Sequence, residues 1–249
     1  MLYQAHRGVC TECPENTLPA FRKALEQGYQ VIEMDARFTA DNVCVLHHDP
    51  SLNRTCRTPE GEPLAQRQML HETDFAQLRT LDAGIWFGEA FRGTRVPTLA
   101  ETLDLCREAG VHVKLDNIFA GFPMEQQNLL FDLAEASGAD VGFTCFALET
   151  VRNVAARFPK ATIHYDGPVS EESLLAVKQL LKENPLVVWL PMDGPGTSWC
   201  KMPKATPELC ALVKAHAKLG LWILDNREQE AQALALGADI IETPGQLKP

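Results

Sequence analysis

The chain has 249 residues, of which 45% are hydrophobic and 22% are charged, and this composition is ordinary for a globular protein with a sizeable core. Asp and Glu outnumber Lys and Arg by 33 to 23, giving a net charge of −10. That charge argues against a nucleic-acid backbone or an anionic membrane surface as the main partner, because both favour basic patches.

The N-terminus and the apolar runs predict the cellular location of the protein. No apolar run approaches the roughly 18 residues of a membrane span, so we expect no integral membrane association. The segment MLYQAHRG enters a predicted strand directly and leaves no room for a signal peptide. We therefore expect a cytoplasmic protein, in which the eight scattered cysteines are reduced.

Short apolar segments alternate with amphipathic ones along the chain. LYQAH is the first predicted strand, and TLPAFRKALEQG has the Thr cap, the spacing and the Gly stop of a helix. The later predicted strands are VIEMDARF, VCVLHH, VHVKLD, VGFTCF, TIHYD, LVVWLP, LWILD and ADIIET, with amphipathic helices between most of them. This alternation predicts a parallel sheet covered by helices, and the number of elements favours a (β/α)8 TIM barrel over an open sheet.

The stretch from residue 51 to about 97 interrupts the alternation. It is polar, rich in turn residues and poorly periodic. We interpret it as an insertion after the second strand hairpin rather than a second core, and predict a single domain over residues 1–249.

Polar residues follow several of the predicted strands. In a barrel the active site lies at the carboxyl ends of the strands, so residues at those ends are expected to converge. The residues at these positions are His6, Arg7, Glu33, Asp35, Lys114, Asp116, Asp225 and Glu242.

The second strand, VIEMDARF, carries two acids on one face. Glu33 and Asp35 are two residues apart, so their side chains point the same way and repel each other. A divalent cation such as Mg²⁺ or Ca²⁺ between them would relieve that repulsion. The alternative is that both acids lie on the solvated face of an edge hairpin.

The segment TADN predicts a hairpin that returns a histidine to these acids. A two-residue turn places His48 opposite Asp35, and a four-residue turn places it opposite Glu33. In either register the three side chains share one face, whereas His47 faces away and is interpreted as structural.

Four motifs together resemble those of the glycerophosphodiester phosphodiesterase family. AHRG, PENTLPAF, IEMD and VLHHDPSLNRT are similar to the family's HRG, PENT, E-x-D and His-Asp followed by L-x-R-T. The likeness continues through LDAGIWF, VPTLAETL, LWILDN and IIETP and so covers essentially the whole chain. It implies a β/α barrel that hydrolyses a small anionic phosphodiester to glycerol 3-phosphate and an alcohol.

The resemblance also implies roles for individual residues. His6 and His48 would be the catalytic acid–base pair, Arg7 would hold the phosphate and Glu15 would support the site. A divalent metal ion, Mg²⁺ or Ca²⁺, would be held by Glu33 and Asp35.

The chain departs from the family pattern on the fourth predicted strand. The family's E-x-K, with Glu as third metal ligand and Lys on the phosphate, is reversed here as Lys114-Leu-Asp116. Both side chains keep the same face, so Asp116 remains a candidate metal ligand and Lys114 a candidate phosphate contact. The carboxylate is, however, displaced by two residues, roughly 6.6 Å along a strand. The metal must then move, lose a ligand or be replaced.

Three functions remain open at this point. The first is a metal-dependent phosphodiesterase, and the second is a lyase-type relative that releases a cyclic phosphate. The third is a non-catalytic ligand-binding barrel, in which the reversed Lys114 and Asp116 mark a decayed site.

Weaker signals lie elsewhere. Cys10 and Cys13 form a lone C-x-x-C, which favours packing over redox or metal chemistry. Trp222 is a candidate for stacking on the substrate alcohol, with barrel packing as its alternative. His112 is expected deeper in the barrel as a core histidine, and His164 has no partner visible in the sequence.

Overall fold

Eight parallel strands close into a barrel in the computed structural model, which describes residues 1–116, 122–192 and 202–249. The first strand pairs with both the second and the last, which closes the ring. The barrel strands are β1 (Leu2–Ala5), β2 (Val31–Phe38), β4 (His112–Asp116), β5 (Val141–Cys145), β6 (Ile163–Tyr165), β7 (Leu186–Pro191), β8 (Lys218–Trp222) and β9 (Ile240–Thr243). The predicted (β/α)8 barrel is confirmed.

Helices follow the strands and cover the barrel from outside, except for the short α2, which lies in the segment from residue 51 to 97. They are α1 (Leu18–Glu26), α2 (Phe75–Leu78), α3 (Leu99–Ala109), α4 (Met124–Ser137), α5 (Leu148–Arg157), α6 (Glu171–Leu180), α7 (Pro207–His216) and α8 (Arg227–Ala235). Local sequence sets several of their ends. Thr98 and Glu101 form a reciprocal capping box at the start of α3, and Gly110 ends the helix with a left-handed backbone.

The main hydrophobic core lies between the sheet and the helices. Alternate strand residues point outward into it, among them Ile32 and Met34 of β2, which are completely buried against α1 and α3 side chains of the same cluster. Burial of each such large side chain contributes about 1.5–3 kcal/mol. The residues between them point into the barrel and are unusually polar. The buried polar residues on the strands include Gln4, Glu33, Lys114, Thr144, His164 and Glu242.

The segment from residue 51 to 97 contributes no barrel strand. It contains short 3₁₀ helices at Leu70–Glu72 and Glu89–Phe91 as well as α2. It packs on a small hydrophobic cluster separate from the main core, which its polar sequence did not predict. The buried members of that cluster are Val45, Leu52, Cys56, Leu70, Leu78, Leu81, Ala83 and Val96.

The described helices are also informative about membrane insertion. Within the described ranges, no helix combines the length and the apolar character needed to cross a membrane.

The seven cysteines in those ranges are free thiols, and Cys200 lies outside them. Burial raises the pKa of Cys10 to about 11 and raises that of Cys13, which disfavours the reactive thiolate.

Candidate active site

A cavity of about 540 Å³ opens at the carboxyl ends of the barrel strands. It brings together most of the polar residues that the sequence analysis selected. Those that line it are His6, Arg7, Asp35, His48, Lys114, Asp116, Trp222 and Glu242. Glu15 and Glu33 lie behind this surface, where both contact Arg7.

Arg7 is fixed from three sides by carboxylates. Its backbone N–H donates to Glu33 Oε2 at 2.7 Å, and its Nη1 donates to Glu15 Oε1 at 3.0 Å. Its Nε lies 3.3 Å from Asp35 Oδ2. The backbone at Arg7 has a φ of 59°, which is uncommon for a residue other than glycine and recurs at functional sites.

His6 presents a neutral imidazole to the cavity. Burial, reinforced by the nearby Arg7 guanidinium, lowers the pKa of His6 to about 3. Its Nε2 lies 3.8 Å from Glu242 Oε1. The ring is therefore unprotonated near neutral pH and can accept a proton.

The hairpin after β2 adopts a register that the sequence analysis did not predict. Thr39 N–H bonds to Val43 O across a three-residue loop, in which Asn42 has a φ of 60°. A left-handed residue at the end of such a loop is a known hairpin geometry, and Asn tolerates it. His47, not His48, therefore lies opposite Asp35, through the bond from His47 N–H to Asp35 O.

His48 still reaches the cavity because the chain leaves the strand before it. The returning strand β3 (Cys44–Leu46) ends two residues earlier, and Arg37 Nε donates to His48 O at 2.7 Å. His47 is buried and bonded to Thr55 Oγ1 and Asp49 O, consistent with its structural interpretation. His48 therefore lines the same cavity as Asp35, but by a different backbone path from the predicted one.

A chain of charged groups orients the His48 ring. Its Nδ1 lies 2.7 Å from Asp49 Oδ1, and Asp49 Oδ2 accepts from Arg54 Nε at 2.6 Å. Arg54 then donates from both Nη1 and Nη2 to the Glu15 carboxylate, each at 2.7 Å. Although burial opposes the change, Arg54 and Arg7 lower the pKa of Glu15 to about 2, so the chain stays charged.

Asn16 is a site residue that the sequence analysis missed. Its Nδ2 donates to Asp35 Oδ2 at 2.7 Å, and its Oδ1 accepts from Asp35 N–H at 3.1 Å. The residue is buried and has a φ of 53°. It is the Asn of the PENT motif, so its position in the motif was the available signal.

Lys114 lies at the floor of the cavity among acids from three strand ends. Its side chain is 3% exposed, and its Nζ lies 3.5 Å from Glu242, 3.7 Å from Asp166 and 3.8 Å from Asp116. Burial alone would lower the pKa of Lys114, but these carboxylates outweigh it and raise the pKa. The ammonium form of Lys114 is therefore favoured near neutral pH.

Carboxylates outnumber cations around this floor. Burial and neighbouring acids raise the pKa of Glu33 well above its usual value. Burial also raises the pKa of Asp166 to about 7, against the opposing effect of Lys114. Asp166 was not among the predicted site residues, although it follows the strand-like segment TIHYD and the strand-end rule applies to it equally.

The predicted metal ligands do not form a metal site in this arrangement. Among the side chains of residues 1–116, 122–192 and 202–249, no group of three or more His, Cys, Asp or Glu could hold a metal ion. Glu33 Oε2 and Asp35 Oδ2 already accept hydrogen bonds from Arg7 and Asn16. The Lys114 ammonium beside Asp116 would repel a divalent ion. These residues therefore do not fit Mg²⁺ or Ca²⁺.

One residue expected at the site lies elsewhere. The strand β8 ends at Trp222, so Asp225 falls beyond it, is exposed and accepts a hydrogen bond from Asn226 Nδ2 at 2.7 Å. The expected convergence of Asp225 with the other acids was wrong. Trp222 itself lines the cavity and also packs against the buried Val187, Trp189 and Ile240, so both readings of it agree with its position.

Comparisons with known proteins agree with this architecture. Residues 6–161 match the model of the glycerophosphoryl diester phosphodiesterase family. A glycerophosphodiester phosphodiesterase of Caldanaerobacter subterraneus subsp. tengcongensis is 27% identical over 246 residues, covering 96% of this chain and 92% of that protein.

Solved structures show the same fold. An Oleispira antarctica phosphodiesterase in complex with sn-glycerol-3-phosphate superposes with a TM-score of 0.76 at 19% identity, covering 99% of this chain and 94% of that one. A glycerophosphodiester phosphodiesterase from Agrobacterium tumefaciens gives 0.68 at 22% identity, covering 99% and 98%. With the family model matched over more than half of its residues, the chain belongs to the glycerophosphoryl diester phosphodiesterase family of phosphoric diester hydrolases.

Proposed function

We propose that the protein hydrolyses glycerophosphodiesters, or a closely related small phosphodiester, to glycerol 3-phosphate and an alcohol. One observation carries this proposal: His6 and His48, from separate segments, line one cavity together with Arg7 and Lys114. Two imidazoles and two cations are the groups that acid–base chemistry on a phosphodiester needs.

In this proposal His6 is the base. Its neutral ring takes the proton of the attacking hydroxyl group or water while the new P–O bond forms. A pKa near 3 makes the ring a weak base before substrate binds. The negative charge of a bound phosphodiester raises that pKa, because it stabilises the imidazolium form.

His48 is the proposed acid. With its Nδ1 bonded to Asp49, its Nε2 is available to the cavity and, when protonated, donates to the leaving alcohol oxygen as the old P–O bond breaks. Its side chain is 35% exposed, so it can regain a proton from solvent. Arg7 and Lys114 would contact the phosphate oxygens, with Arg7 held in place by Glu15 and Glu33.

The divalent ion expected from the resemblance remains a prediction that the donor set does not favour. Glu33, Asp35 and Asp116 are the ligands that the resemblance assigns to this ion. The cytoplasmic location also stays a prediction.

The experiment is phosphorus NMR of the purified protein with glycerophosphocholine, glycerophosphoethanolamine and a chromogenic diester. Each substrate is tested after chelation and after addition of Mg²⁺, Ca²⁺ or Mn²⁺. Appearance of glycerol 3-phosphate, abolished in His6→Ala, is the expected result. A cyclic phosphate as the end product would instead identify the lyase-type alternative. Absence of turnover under all conditions would overturn the proposal.

A further inference from the structure

The floor of the cavity contains a positive charge supplied by the protein itself. Lys114 of β4 lies in register beside Glu33 of β2 and is 2% exposed. Its Nζ is within 3.5–3.8 Å of carboxylates from Asp116, Asp166 and Glu242. Three acids from three separate strand ends thus converge on one ammonium group, as they would on an ion.

An aromatic face supports this ammonium from the barrel interior. Nζ lies 4.3 Å from the centroid of the Trp189 ring, which is completely buried. Such a contact attracts a cation to the negative face of the ring, most strongly where water is absent. A Cβ at Gly220 would lie 2.4 Å from the Trp189 ring, so the neighbouring strand leaves the space that this ring occupies.

A chain of hydrogen bonds fixes the ring of Trp189 in turn. Trp189 Nε1 donates to His164 Nδ1 at 3.1 Å, and His164 Nε2 lies 3.1 Å from His112 Nε2. His112 Nδ1 lies 3.0 Å from Asp140 Oδ2 at the opposite end of the barrel. A Cβ on Gly142 would lie 2.6 Å from His164 Nε2, so a larger residue there would break the chain.

The direction of each bond in this chain follows from its first member. An indole N–H can only donate, so His164 Nδ1 accepts and its Nε2 carries the proton. His112 Nε2 then accepts that proton's hydrogen bond, which leaves its Nδ1–H to donate to Asp140. All the ring nitrogens are satisfied, and the indole of Trp189 is oriented by a donor bond rather than by packing alone.

We propose that Lys114 is the resident cation of this cavity and balances the charge of the bound phosphodiester in place of a divalent metal ion. The chain from Trp189 through His164 and His112 to Asp140 holds it in position. Trp189 and His164 are positioning residues in this account. The role toward substrate rests on the proposed function, whereas the exclusion of a divalent ion does not.

The first arm of the test measures Mn²⁺ binding without substrate, by electron paramagnetic resonance of the free ion. Wild type is compared with Lys114→Gln, Lys114→Arg and the control Lys218→Gln, which changes an exposed lysine at the other end of a barrel strand. We expect weak binding by all except Lys114→Gln, whose affinity rises on the order of tenfold or more because a nearby positive charge is lost.

Tight binding of one Mn²⁺ by wild type would overturn the proposal, and so would a folded Lys114→Gln variant that binds Mn²⁺ no more tightly than wild type. The wild-type result has this force even if Lys114→Gln fails to fold. Lys114→Arg keeps the charge, so tight Mn²⁺ binding by it would also contradict the account.

The second arm measures turnover of the phosphodiester after chelation. We expect wild type to keep most of its turnover, and Mg²⁺-dependent recovery from complete loss would overturn the proposal. Trp189→Phe keeps an aromatic face but loses the hydrogen bond to His164, so we expect a fall in kcat of only a few-fold. Trp189→Leu should lose about tenfold in kcat at similar KM, since the cation–π contact is removed as well. Equal kcat values in the two folded variants would count against Trp189 as a positioning residue. If no diester is turned over at all, the proposed function fails, and the Mn²⁺ comparison still decides whether Lys114 excludes a divalent ion.

Discussion

The two sides of the cavity hold their charges in different ways. On the His48 side, Arg54 joins Asp49 and Glu15 through hydrogen bonds of 2.6–2.7 Å, with equal numbers of charges of each sign among these groups and Arg7. On the floor, Lys114 faces three carboxylates at 3.5–3.8 Å, so the acids outnumber it.

The difference indicates that the two sides of the cavity have separate functions. Short, charge-assisted hydrogen bonds in a balanced chain fix the orientation of a ring, which suits a group that must aim a proton. The longer ion pairs on the floor leave an ammonium whose N–H groups can turn toward an incoming phosphate oxygen. The His48 side therefore provides orientation, and the floor provides charge.

The largest expected effect removes an imidazole. His6→Ala and His48→Ala should each lower kcat about 10²–10⁴-fold, the range typical of a lost acid–base group. Hydrolysis of glycerophosphocholine followed by phosphorus NMR measures the change. His71→Ala is the control, because this side chain is 65% exposed and lies outside the cavity lining. Near-normal turnover in His6→Ala would show that His6 is not the general base.

The next variant loosens the orientation of His48 without touching either histidine. Arg54→Lys cannot bridge Asp49 and Glu15 with a planar fork, so we expect a fall in kcat of about tenfold with little change in KM. Steady-state kinetics measure the change. Arg92→Lys is the matched control, since Arg92 forms a comparable pair with Glu89 on the surface. Equal kcat in the two variants would show that the chain does not orient His48.

Substitutions of Asn16 test how much its hydrogen bonds to Asp35 and its left-handed backbone contribute to stability. Asn16→Ala loses both hydrogen bonds to Asp35 and keeps a strained backbone, so we expect a loss of about 2–4 kcal/mol in unfolding free energy. Asn16→Gly loses the same bonds but tolerates the positive φ, and should be about 1 kcal/mol more stable than Asn16→Ala. Urea unfolding separates the two contributions, and identical midpoints would contradict the strain at this position.

The smallest expected effect is a change in stability on substitution of Asp82, a carboxylate outside the cavity. Asp82 accepts from the backbone N–H groups of Gly84, Ile85 and Gly93, and although burial opposes the change, these bonds lower its pKa. A lowered folded pKa stabilises the protein above the unfolded value and loses that stability as the pH falls through the folded value. Asp82→Asn should therefore cost about 1 kcal/mol near pH 7, and the difference should shrink below about pH 4. Unfolding curves at several pH values measure it, and a difference independent of pH would contradict the prediction.

The sequence predicted the barrel and most of the cavity because both follow from local patterns. Strand–helix alternation gives the topology, and the rule that barrel sites lie at strand ends selected His6, Arg7 and Lys114 correctly as cavity residues. The same rule selected Asp225 wrongly, because β8 ends at Trp222, three residues before Asp225.

Other features depend on contacts between distant segments. The loop length that sets the position of His48 depends on the left-handed backbone of Asn42, which no alternation pattern encodes. The bridging role of Arg54 requires that the inserted segment fold back onto Glu15, 39 residues earlier in the chain. The chain beneath Lys114 joins His112, His164 and Trp189 across separate strands, and none of them has a partner nearby in sequence.

The most direct measurement is a crystal structure with sn-glycerol 3-phosphate, the proposed product. We expect the phosphate to lie between His6 and His48, with its oxygens within hydrogen-bonding distance of Arg7 and the Lys114 ammonium. A phosphate bound away from both histidines, or one held through a divalent ion on Asp116 while Lys114 turns away, would contradict it.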